Sequence, residues 1–317
     1  MRESVLVEGK SLPLLIAPES ETERSAESLL GWIEQERDGI AERLKKSGAV
    51  LFRGFDLAGA DTFKKAVMKF QHELQNYIEG QSQRDKISDK IYNSTYYPPE
   101  ERITLHNELS YTENPPRYLF FFCERPATEG GETPIVDCRK LLERIAPETL
   151  APFREKGVRY VKNMHGGKGF GKSWQEHFES EDRTNVEAYL GSHDVDFEWL
   201  DDGTLRTRQE RPSVTRHPET GEEIWFNQAS LWHVSDQGKR GKTLLRMLGE
   251  DHLATHAYFG GGDRIEEPLL EEIRRATWDE ATIFPWRKGD LLFVDNYLVA
   301  HGRNAYSGDR LLLVAMG

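Results

Sequence analysis

Residues 289–316 read GDLLFVDNYLVAHGRNAYSGDRLLLVAM, and this stretch decides the fold class. It contains two apolar runs, LLFV at 291–294 and LLLVAM at 311–316, with turn residues Ser-Gly-Asp at 307–309 before the second run. Short apolar runs bounded by Gly, Asn, Asp and Ser are typical of strands. His301 stands between the two runs, where a β scaffold would hold an imidazole rigidly. The stretch therefore predicts a β body with a histidine fixed in it.

The rest of the chain adds helices, mainly in front of this body. Charged residues with apolar positions at helical spacing predict a helix within 20–46, and a second helix is predicted over 61–74 with Asp61 as its N-cap. Asp137 is predicted to cap a further short helix. The predicted strands before residue 165 are 48–55, 117–126, 133–138 and 158–164.

Residues 165–200 differ in composition from the segments on either side. HGGKGFGKSW is rich in glycine, and QEHFESEDRTNVEAYL behind it has the pattern of a helix. We predict that this segment is an inserted lid on the surface. From residue 203 onward short strands dominate, which favours a sandwich or barrel. No repeat or linker divides the chain, so we expect a single domain over 1–317.

The composition excludes several classes of function. Lys plus Arg number 42 and Asp plus Glu number 54, so the net charge of −12 argues against nucleic acid or an anionic membrane as the main partner. The apolar runs are too short to cross a bilayer. The first residues show no pattern of a signal peptide, and we expect a cytoplasmic protein. Cys123 and Cys138 are the two cysteines, which we interpret as reduced packing residues.

A second stretch, ITLHNELSYTENPP at 103–116, supplies a histidine and a carboxylate two residues apart. On a strand, His106 and Glu108 would project from the same face. An exposed polar pair, an ion pair and a metal site all fit this spacing. With His301 as a third ligand, the set would match the two-His-one-carboxylate triad of non-haem Fe(II) oxygenases, although a zinc hydrolase uses the same residue types.

Arg310 directly precedes the apolar run after His301, and it favours the Fe(II) oxygenase over the zinc hydrolase. A guanidinium near a metal suggests an anionic partner bound in bidentate fashion, such as a dicarboxylate cosubstrate. A surface salt bridge from Arg310 to Asp309 or Asp295 is the simpler alternative.

The motifs together resemble the taurine dioxygenase family of Fe(II)/2-oxoglutarate-dependent oxygenases. The resemblance covers about residues 45–317 and depends on His106-x-Glu108 followed by Pro115-Pro116, on PATEGGETPIVD at 126–137, and on the pair His301 and Arg310. It implies a double-stranded β-helix, or cupin-like jelly roll, with flanking helices. It also implies Fe(II) as the cofactor, with 2-oxoglutarate and O2 as cosubstrates. By the same resemblance His106, Glu108 and His301 are the iron ligands, while Arg310 and Thr133 bind 2-oxoglutarate.

Within the family the chain looks most like the hydroxylases of nonribosomal peptide biosynthesis, the syringomycin-type aspartyl hydroxylases. This likeness implies a small amino-acid substrate, free or presented on a peptidyl carrier protein, that is hydroxylated as 2-oxoglutarate becomes succinate and CO2. Basic residues at 168–172 and Arg206/Arg208 flank the predicted lid and are candidates for contacts with a carrier. Taurine dioxygenase has a second arginine where this chain has Val314, so taurine is not the expected substrate.

Three alternatives stay open at this point: the same cofactors could catalyse desaturation or epoxidation, or the chain could be a zinc hydrolase or a noncatalytic cupin-like binding protein. Glu108 favours hydroxylation over halogenation, because halogenating relatives have a small residue at that position. The sequence predicts no oligomeric state. The candidate substrate-binding residues are His165, Trp174, Gln175, Asn227 and Gln228, and His233 is a further candidate beside the site. Five further histidines are expected to be solvated, namely His72, His193, His217, His252 and His256.

Overall fold

The computed structural model describes residues 1–76, 86–94, 97–169 and 171–317. In this part of the chain the strands are, in order, β1 (Arg2–Val5), β2 (Leu14–Ala17), β3 (Ala49–Phe52), β4 (Lys86–Ser88), β5 (Ile91–Asn93), β6 (Ile103–His106), β7 (Tyr118–Arg125), β8 (Glu129–Gly130), β9 (Ile135–Asp137), β10 (Val158–Met164), β11 (Asp196–Trp199), β12 (Leu205–Arg211), β13 (Val214–Arg216), β14 (Glu223–Trp225), β15 (Thr255–Phe259), β16 (Leu291–Asp295), β17 (Val299–Arg303), β18 (Tyr306–Ser307) and β19 (Leu311–Met316).

Helices flank these strands along the whole chain. They are α1 (Ala26–Gln35), α2 (Arg37–Ser47), α3 (Ala60–Phe70), α4 (Cys138–Arg144), α5 (Pro147–Lys156), α6 (Trp174–Phe178), α7 (Arg183–Ser192), α8 (Ala229–Trp232), α9 (Gly238–Leu248) and α10 (Glu267–Glu280).

The largest sheet has the strand order β1-β2-β3-β16-β7-β19-β5-β4, and both of its faces are buried at the centre. The side chains of β16 alternate between the two faces of the sheet, which explains why its sequence is almost entirely apolar. Leu291 and Phe293 face the core beneath α1–α3, whereas Leu292 and Val294 face the larger core on the opposite side. The run LLFV that the sequence placed in a strand is thus a central strand packed on both sides.

Two smaller sheets lie along the larger core. One has the order β6-β17-β9 and the other β11-β12-β10-β15. Tyr160 of β10, Val136 of β9 and Leu292 of β16 are buried in the same apolar cluster, so all three sheets contribute to one interior. This cluster fixes the sheets relative to one another by burial of apolar surface.

The predicted helix within 20–46 is two helices, because the chain bends at Glu36 between α1 and α2. The prediction that Asp61 caps the next helix was wrong. α3 begins at Ala60, and Gly59 occupies its N-cap position. The backbone N–H of Gly59 donates to Glu124 at 2.7 Å. Asp61 lies in the first turn, where a carboxylate interacts favourably with the helix dipole.

Other local predictions are confirmed. Asp137 caps α4 by accepting a hydrogen bond from the backbone N–H of Arg139. Cys123 and Cys138 are both buried and unbridged, and burial raises the pKa of each thiol to about 12.

The segment 165–200 contains two short helices rather than the predicted single one. Its helical part divides at Glu179, which has a left-handed backbone with φ of 50°, into α6 and α7. Buried residues of the segment form a separate apolar cluster with the neighbouring strands, comprising Met164, Trp174, Val186, Leu190, Val195 and Leu205. Phe170 of this segment lies outside the described residues.

The expectation that short strands dominate after residue 203 was wrong for two stretches. α9 and α10 occupy 238–248 and 267–280, and Pro268 stands in the first turn of α10. Leu270 and Ile273 of α10 are buried three residues apart, a helical spacing that the sequence already carried. Among the described residues, no helix combines the length and apolarity needed to cross a membrane.

Two histidines that were expected to be solvated are buried. His217 is 1% exposed, and its Nε2 lies 3.0 Å from Asp295. Its Nδ1 accepts a hydrogen bond from the backbone N–H of Thr220, so Nε2 carries the proton and donates to the carboxylate. His256 is 4% exposed and lies 3.3 Å from Glu250. Asp295 lies 78 positions from His217, so this contact left no local signal. Glu250 lies six positions before His256 and was not recognised as its partner.

Candidate metal centre

Strand pairing brings the two predicted histidine ligands together. β17 is the middle strand of its sheet, and His301 lies directly opposite His106 on β6. Their ring centroids are 4.6 Å apart. The close approach of the strands depends on Gly302, where a Cβ atom would lie only 2.6 Å from the carbonyl oxygen of Ile103. Two residues nearly 200 positions apart in sequence therefore share one face of a small sheet.

Glu108 joins them from the turn that follows β6. The strand ends at His106, and Glu108 places a carboxylate oxygen 3.8 Å from Nε2 of His301. Asn296 fixes this turn: its side-chain oxygen accepts from the backbone N–H of Glu108 at 2.7 Å, and its Nδ2 donates to the carbonyl oxygens of Glu108 and Pro116. Gln228 also donates to the carbonyl of Asn107 at 2.6 Å. The carboxylate is thus held through its backbone.

The orientation of His106 follows from a single contact. Its Nδ1 lies 2.8 Å from the carbonyl oxygen of Thr104. Because a carbonyl only accepts hydrogen bonds, Nδ1 carries the proton and Nε2 presents its lone pair. The hydroxyl of Thr104 in turn donates to Asp236 at 2.7 Å, and Arg274 lies 3.5 Å from that carboxylate. This chain of contacts anchors β6 beside the ligand that it carries.

The donor set fits a divalent metal ion. One ligand atom from each of His106, Glu108 and His301 can be chosen so that all lie within 4.8 Å of one another. Ligand atoms about 2.0–2.2 Å from a shared ion lie within about 4.4 Å of each other, so shifts of less than about 1 Å would complete the coordination. Glu108 and His301 are buried, at 4% and 5% exposure, and His106 is partly exposed. Two imidazoles and one carboxylate leave positions for further ligands.

Arg310 has no carboxylate partner within ion-pair distance among the described residues. The alternative salt bridges to Asp309 or Asp295 are wrong, since Asp309 pairs with Arg125 and Asp295 with Arg117. The guanidinium donates instead to the carbonyl of Gly131 at 3.1 Å and to the hydroxyl of Ser94 at 3.2 Å. Burial, helped by the charge of Arg303, lowers the pKa of Arg310 to about 10, so it remains charged at neutral pH.

The glycine pair of the GGET motif makes room for this arginine. Gly131 has φ of 72°, and a Cβ atom there would lie 3.1 Å from Cδ and Nε of Arg310. A side chain at this position would therefore meet both backbone strain and the guanidinium stem. Gly131 thus allows its carbonyl to face the arginine.

Thr133 lies between the arginine contact and the metal residues along one extended segment. Gly131 contacts Arg310, and Ile135 pairs with His301 in the sheet. Thr133 is 3% exposed, and its hydroxyl accepts a hydrogen bond from the indole N–H of Trp286 at 3.0 Å. With its oxygen accepting from Trp286, the hydroxyl still has a proton with which to bind an anion.

The structure does not bring three predicted substrate residues into contact with the metal cluster. Trp174 is 4% exposed and packs edge-on against Trp199 in the cluster of the 165–200 segment. His165 bonds to its own loop through Gly167 and Gly171, and Gln175 donates to the carbonyl of Gly166.

Asn227 and Gln228 are used within the protein. Asn227 donates to the carbonyl of Ser213 and accepts from the backbone of Ala229. Besides holding Asn107, Gln228 accepts from the indole N–H of Trp232 at 3.2 Å. These contacts give Gln228 a positioning role beside Glu108.

His233 stacks on His256 with 4.4 Å between ring centroids and contacts the Ser235 hydroxyl at 2.8 Å. Burial, with the nearby charges of His256 and Arg274, lowers its pKa to about 3. The described contacts of His233 tie it to these neighbours, and none reaches the metal cluster.

Sequence reasoning missed the residues that hold the ligands in place. Asn296 follows the run LLFVD as a buried polar residue, 0% exposed, and this position at the end of a central strand was its only signal. Trp286 and Asp236 carried no local signal, because each acts on a residue more than 100 positions away.

The match to a protein family covers almost the whole chain. The family described as Taurine catabolism dioxygenase TauD, TfdA family matches residues 9–316. The chain belongs to this family. It is therefore an Fe(II)/2-oxoglutarate-dependent dioxygenase that uses O2, as the sequence motifs implied. The mainly β architecture with flanking helices is consistent with the cupin-like jelly roll of the family.

Individual relatives add detail. The dapdiamide synthesis protein DdaC of Enterobacter agglomerans is 40% identical over 278 residues, which are 87% of this chain and 84% of DdaC. A clavaminate synthase-like protein of Arabidopsis thaliana is 26% identical over 321 residues, covering 98% of this chain and 94% of its own. PvcB of Pseudomonas aeruginosa, at 16% identity, has a similar fold with a TM-score of 0.56 over 97% of this chain and 86% of its own.

Proposed function

We propose that this dioxygenase hydroxylates an sp3 carbon of an amino acid in secondary metabolism, with 2-oxoglutarate converted to succinate and CO2. The observation that carries the proposal is the 40% identity to a dapdiamide synthesis protein over most of both chains. The convergence of His106, Glu108 and His301 supports the same chemistry. Desaturation or epoxidation with the same cofactors is the second candidate, and product analysis separates them.

In this proposal His106, Glu108 and His301 hold the iron. When bound, the iron and 2-oxoglutarate supply the oxidising chemistry with O2 that no side chain provides. The protein contributes orientation: Thr104 fixes the tautomer of His106, and Asn296 fixes the turn of Glu108. A carboxylate at position 108 occupies a ligand position that halogenating relatives leave open, and this favours hydroxylation.

Arg310 and Thr133 would bind the distal carboxylate of 2-oxoglutarate. The half-buried guanidinium of Arg310 needs an anion to compensate its desolvation. The carbonyl of Gly131 and the hydroxyl of Ser94 are neutral acceptors and provide only part of this compensation. The Thr133 proton, directed by the bond from Trp286, would add a hydrogen bond. A zinc hydrolase or a noncatalytic binding protein would have no evident use for this arrangement.

We propose an aspartyl-type substrate because the interior offers a positive charge near the metal residues. Lys162 of β10 is 8% exposed, and its Nζ lies 5.6 Å from the ring centroid of Tyr111 and 5.3 Å from that of Trp232. Tyr111 follows Glu108 by three residues, so this charge lies close to the turn that carries the ligand. Val314 is buried at the position of the sulfonate arginine, which argues against taurine.

The segment 165–200 would serve as the lid of a single domain that spans the chain. Its helices α6 and α7 pack on a small apolar cluster that also includes Met164 of β10 and Leu205 of β12. In the proposed role the helices would shift on this cluster and exclude water from the site when substrate binds.

Anaerobic addition of Fe(II) and 2-oxoglutarate tests the cofactor assignment. We expect a weak visible charge-transfer band that requires both additions. A zinc hydrolase or a noncatalytic binding protein should give no band.

Succinate formation and mass spectrometry then test the substrate assignment. The panel comprises free amino acids, their thioesters on a carrier domain, and taurine. We expect a gain of one oxygen with aspartate in free or thioester form. Coupled turnover of taurine alone would contradict the proposed substrate.

A further inference from the structure

Helix α9 has a charge that contrasts with the rest of the chain. Its sequence, GKRGKTLLRML, contains four basic residues and no acidic one, whereas the chain as a whole has a net charge of −12. Met247 is 75% exposed and Leu245 is 37% exposed. Of the eleven residues of the helix, only Gly241 is buried. A basic helix with exposed apolar side chains therefore stands on an acidic protein.

The helix is fixed to the body through its inner face. A Cβ atom at Gly241 would lie 2.0 Å from the carbonyl oxygen of Val234, so glycine allows contact of the two backbones. Leu244 and Leu248, three and seven residues later, are partly buried on the same side. The opposite side, with Lys239, Lys242 and Arg246 at the same spacing, faces solvent.

The basic side chains are only weakly engaged. Arg240 lies 3.7 Å from Glu101 and Lys242 lies 3.5 Å from Glu267, in ion pairs that are largely exposed. Such pairs contribute little and exchange readily for other anionic partners. Arg246 bonds within its own helix, to the carbonyl of Lys242.

We propose that the outer face of α9, formed by Lys239, Lys242, Arg246 and Met247, is the docking surface for an acidic carrier protein that presents the substrate. This inference rests on the proposed function, in which a tethered amino acid is one form of the substrate. Local charge complementarity steers association even where the net charges of both partners are negative. The exposed Met247 adds an adaptable apolar contact at the same surface.

A small acidic protein fits this surface better than an anionic membrane. A membrane is an extended plane, so other parts of an enzyme whose net charge is −12 would approach it together with α9. A carrier protein can contact one helix and leave the rest of the surface in solvent. The exposed apolar side chains, Leu245 and Met247, are also few for insertion into lipid.

The position of α9 relates it to the metal centre. The preceding turn contains Asp236, which accepts the hydrogen bond from Thr104 on the strand of His106. Two of the basic residues that the sequence suggested for carrier contacts, Arg206 and Arg208, are less suitable. Arg206 and Arg208 bind Glu198 at 3.0 and 2.6 Å, which lowers the pKa of that carboxyl.

Charge reversal on α9 tests the proposal. The probe is a phosphopantetheinylated peptidyl carrier domain of acidic net charge, loaded with aspartate, and binding is measured by biolayer interferometry at two salt concentrations. The test variant is Lys239→Glu/Arg246→Glu, which breaks no ion pair with a described residue. The matched control, Lys46→Glu/Lys65→Glu, makes the same charge change on exposed positions of α2 and α3. We expect the test variant to lose about tenfold or more in affinity, with a reduced salt dependence, and the control to change less than about twofold.

Several outcomes would overturn the docking surface. They are no binding of the carrier domain by the wild type, equal loss in both variants, or loss of binding to anionic phosphatidylserine vesicles with carrier binding unchanged. Turnover of aspartate as a small-molecule thioester is measured in parallel. Carrier binding through α9 without any amino-acid turnover would refute the proposed function alone, whereas turnover without α9-dependent binding would refute the docking surface alone.

Discussion

The metal centre and the 165–200 segment are built on opposite principles. Around Glu108 buried polar side chains hold the backbone, and Asn296 makes bonds to three backbone groups there. Inside the 165–200 segment the buried groups are mainly apolar, and Trp174 packs on Trp199. Hydrogen bonds from buried side chains thus fix the turn of Glu108, whereas apolar burial orders the 165–200 segment.

The difference follows from what each region has to do. Side chains that bind a metal or a carboxylate must be held in direction as well as in place, and hydrogen bonds supply direction. In the lid role proposed for the 165–200 segment, the segment would stay folded while it changes position, and a small apolar core allows that. We therefore expect substitutions in the metal centre to affect chemistry and those in the segment to affect mainly substrate access and stability.

The largest effect is expected from the ligands themselves. His106→Ala, Glu108→Ala and His301→Ala should each reduce iron binding and turnover more than about 100-fold, because loss of even an outer-shell partner of a metal ligand typically costs 10–100-fold. Iron content per chain and succinate formation measure the effect. Wild-type iron affinity in all three variants would place the metal elsewhere and remove the basis of the comparison.

The next effect concerns the cosubstrate. Arg310→Leu should raise the KM for 2-oxoglutarate roughly 30- to several-thousand-fold, since loss of one partner of a desolvated charge pair costs about 2–5 kcal/mol. Arg310→Lys should recover only part, because an ammonium cannot present the planar fork of donors. Arg125→Leu is the control, because Arg125 is an exposed arginine that pairs with Asp309, the neighbour of Arg310 in the chain. An unchanged KM in Arg310→Leu would assign the carboxylate to another cation.

The sequence predicted His106, Glu108 and His301 as one candidate ligand set because metal chemistry restricts the residue types. His106, Glu108 and His301 are recognisable as a set, and the structure brings all three together. Arg310 stands out because a guanidinium in that context needs an anion. The pairing of β6 with β17 could not be read from either stretch alone, but the ligand set implied it.

The supporting residues could not be predicted in the same way. Gln228 was interpreted as a substrate residue, yet its side chain binds Asn107 and Trp232. Trp174 looked like part of a loop and is a core residue of its segment. Whether a polar or aromatic residue packs, positions or binds depends on partners far away in sequence. α10 was missed for another reason: its helical spacing was present but was read among strands.

Two asparagine variants test the contrast between the metal centre and the 165–200 segment directly. Asn296→Ala removes the bonds to Glu108 and Pro116 and should lower iron affinity about 10–100-fold. Asn163→Ala removes two bonds to the backbone of Asp251 and Leu253 beside the 165–200 segment and should leave iron affinity unchanged. Iron titration followed by the anaerobic visible band measures both. Equal losses in the two variants would mean that general destabilisation, and not positioning, is being measured.

Lys162 tests the substrate side with a smaller effect. Lys162→Met keeps the length of the side chain but removes its charge, and should raise the KM for an aspartyl substrate about tenfold. Iron affinity and the KM for 2-oxoglutarate should stay unchanged, which separates this effect from that of Arg310. If Lys162→Met left the KM for aspartyl substrates unchanged, the proposed anionic substrate would lose its structural support.

The smallest expected effect is a dependence of stability on pH that originates in the 165–200 segment. His177 of α6 is buried, and burial, together with the charges of Lys162 and Lys172, holds its pKa well below the ordinary value. The unfolded chain therefore binds a proton that the folded chain does not, and the free energy of unfolding falls as the pH drops below about 6.5. The slope from one such group is at most about 1.4 kcal/mol per pH unit.

His177→Gln keeps a polar side chain but cannot titrate, so urea unfolding at pH 7, 6 and 5 should show a shallower loss of stability than in the wild type. His72→Gln is the control, because His72 is exposed and lies outside the 165–200 segment, and this variant should retain the wild-type slope. Hydrogen exchange at pH 5 should show earlier opening of α6 and α7 than of β6 and β17, because the buried histidine belongs to the apolar segment. Equal slopes in His177→Gln and the wild type, with simultaneous opening of both regions, would show that the segment has no acid-sensitive core of its own.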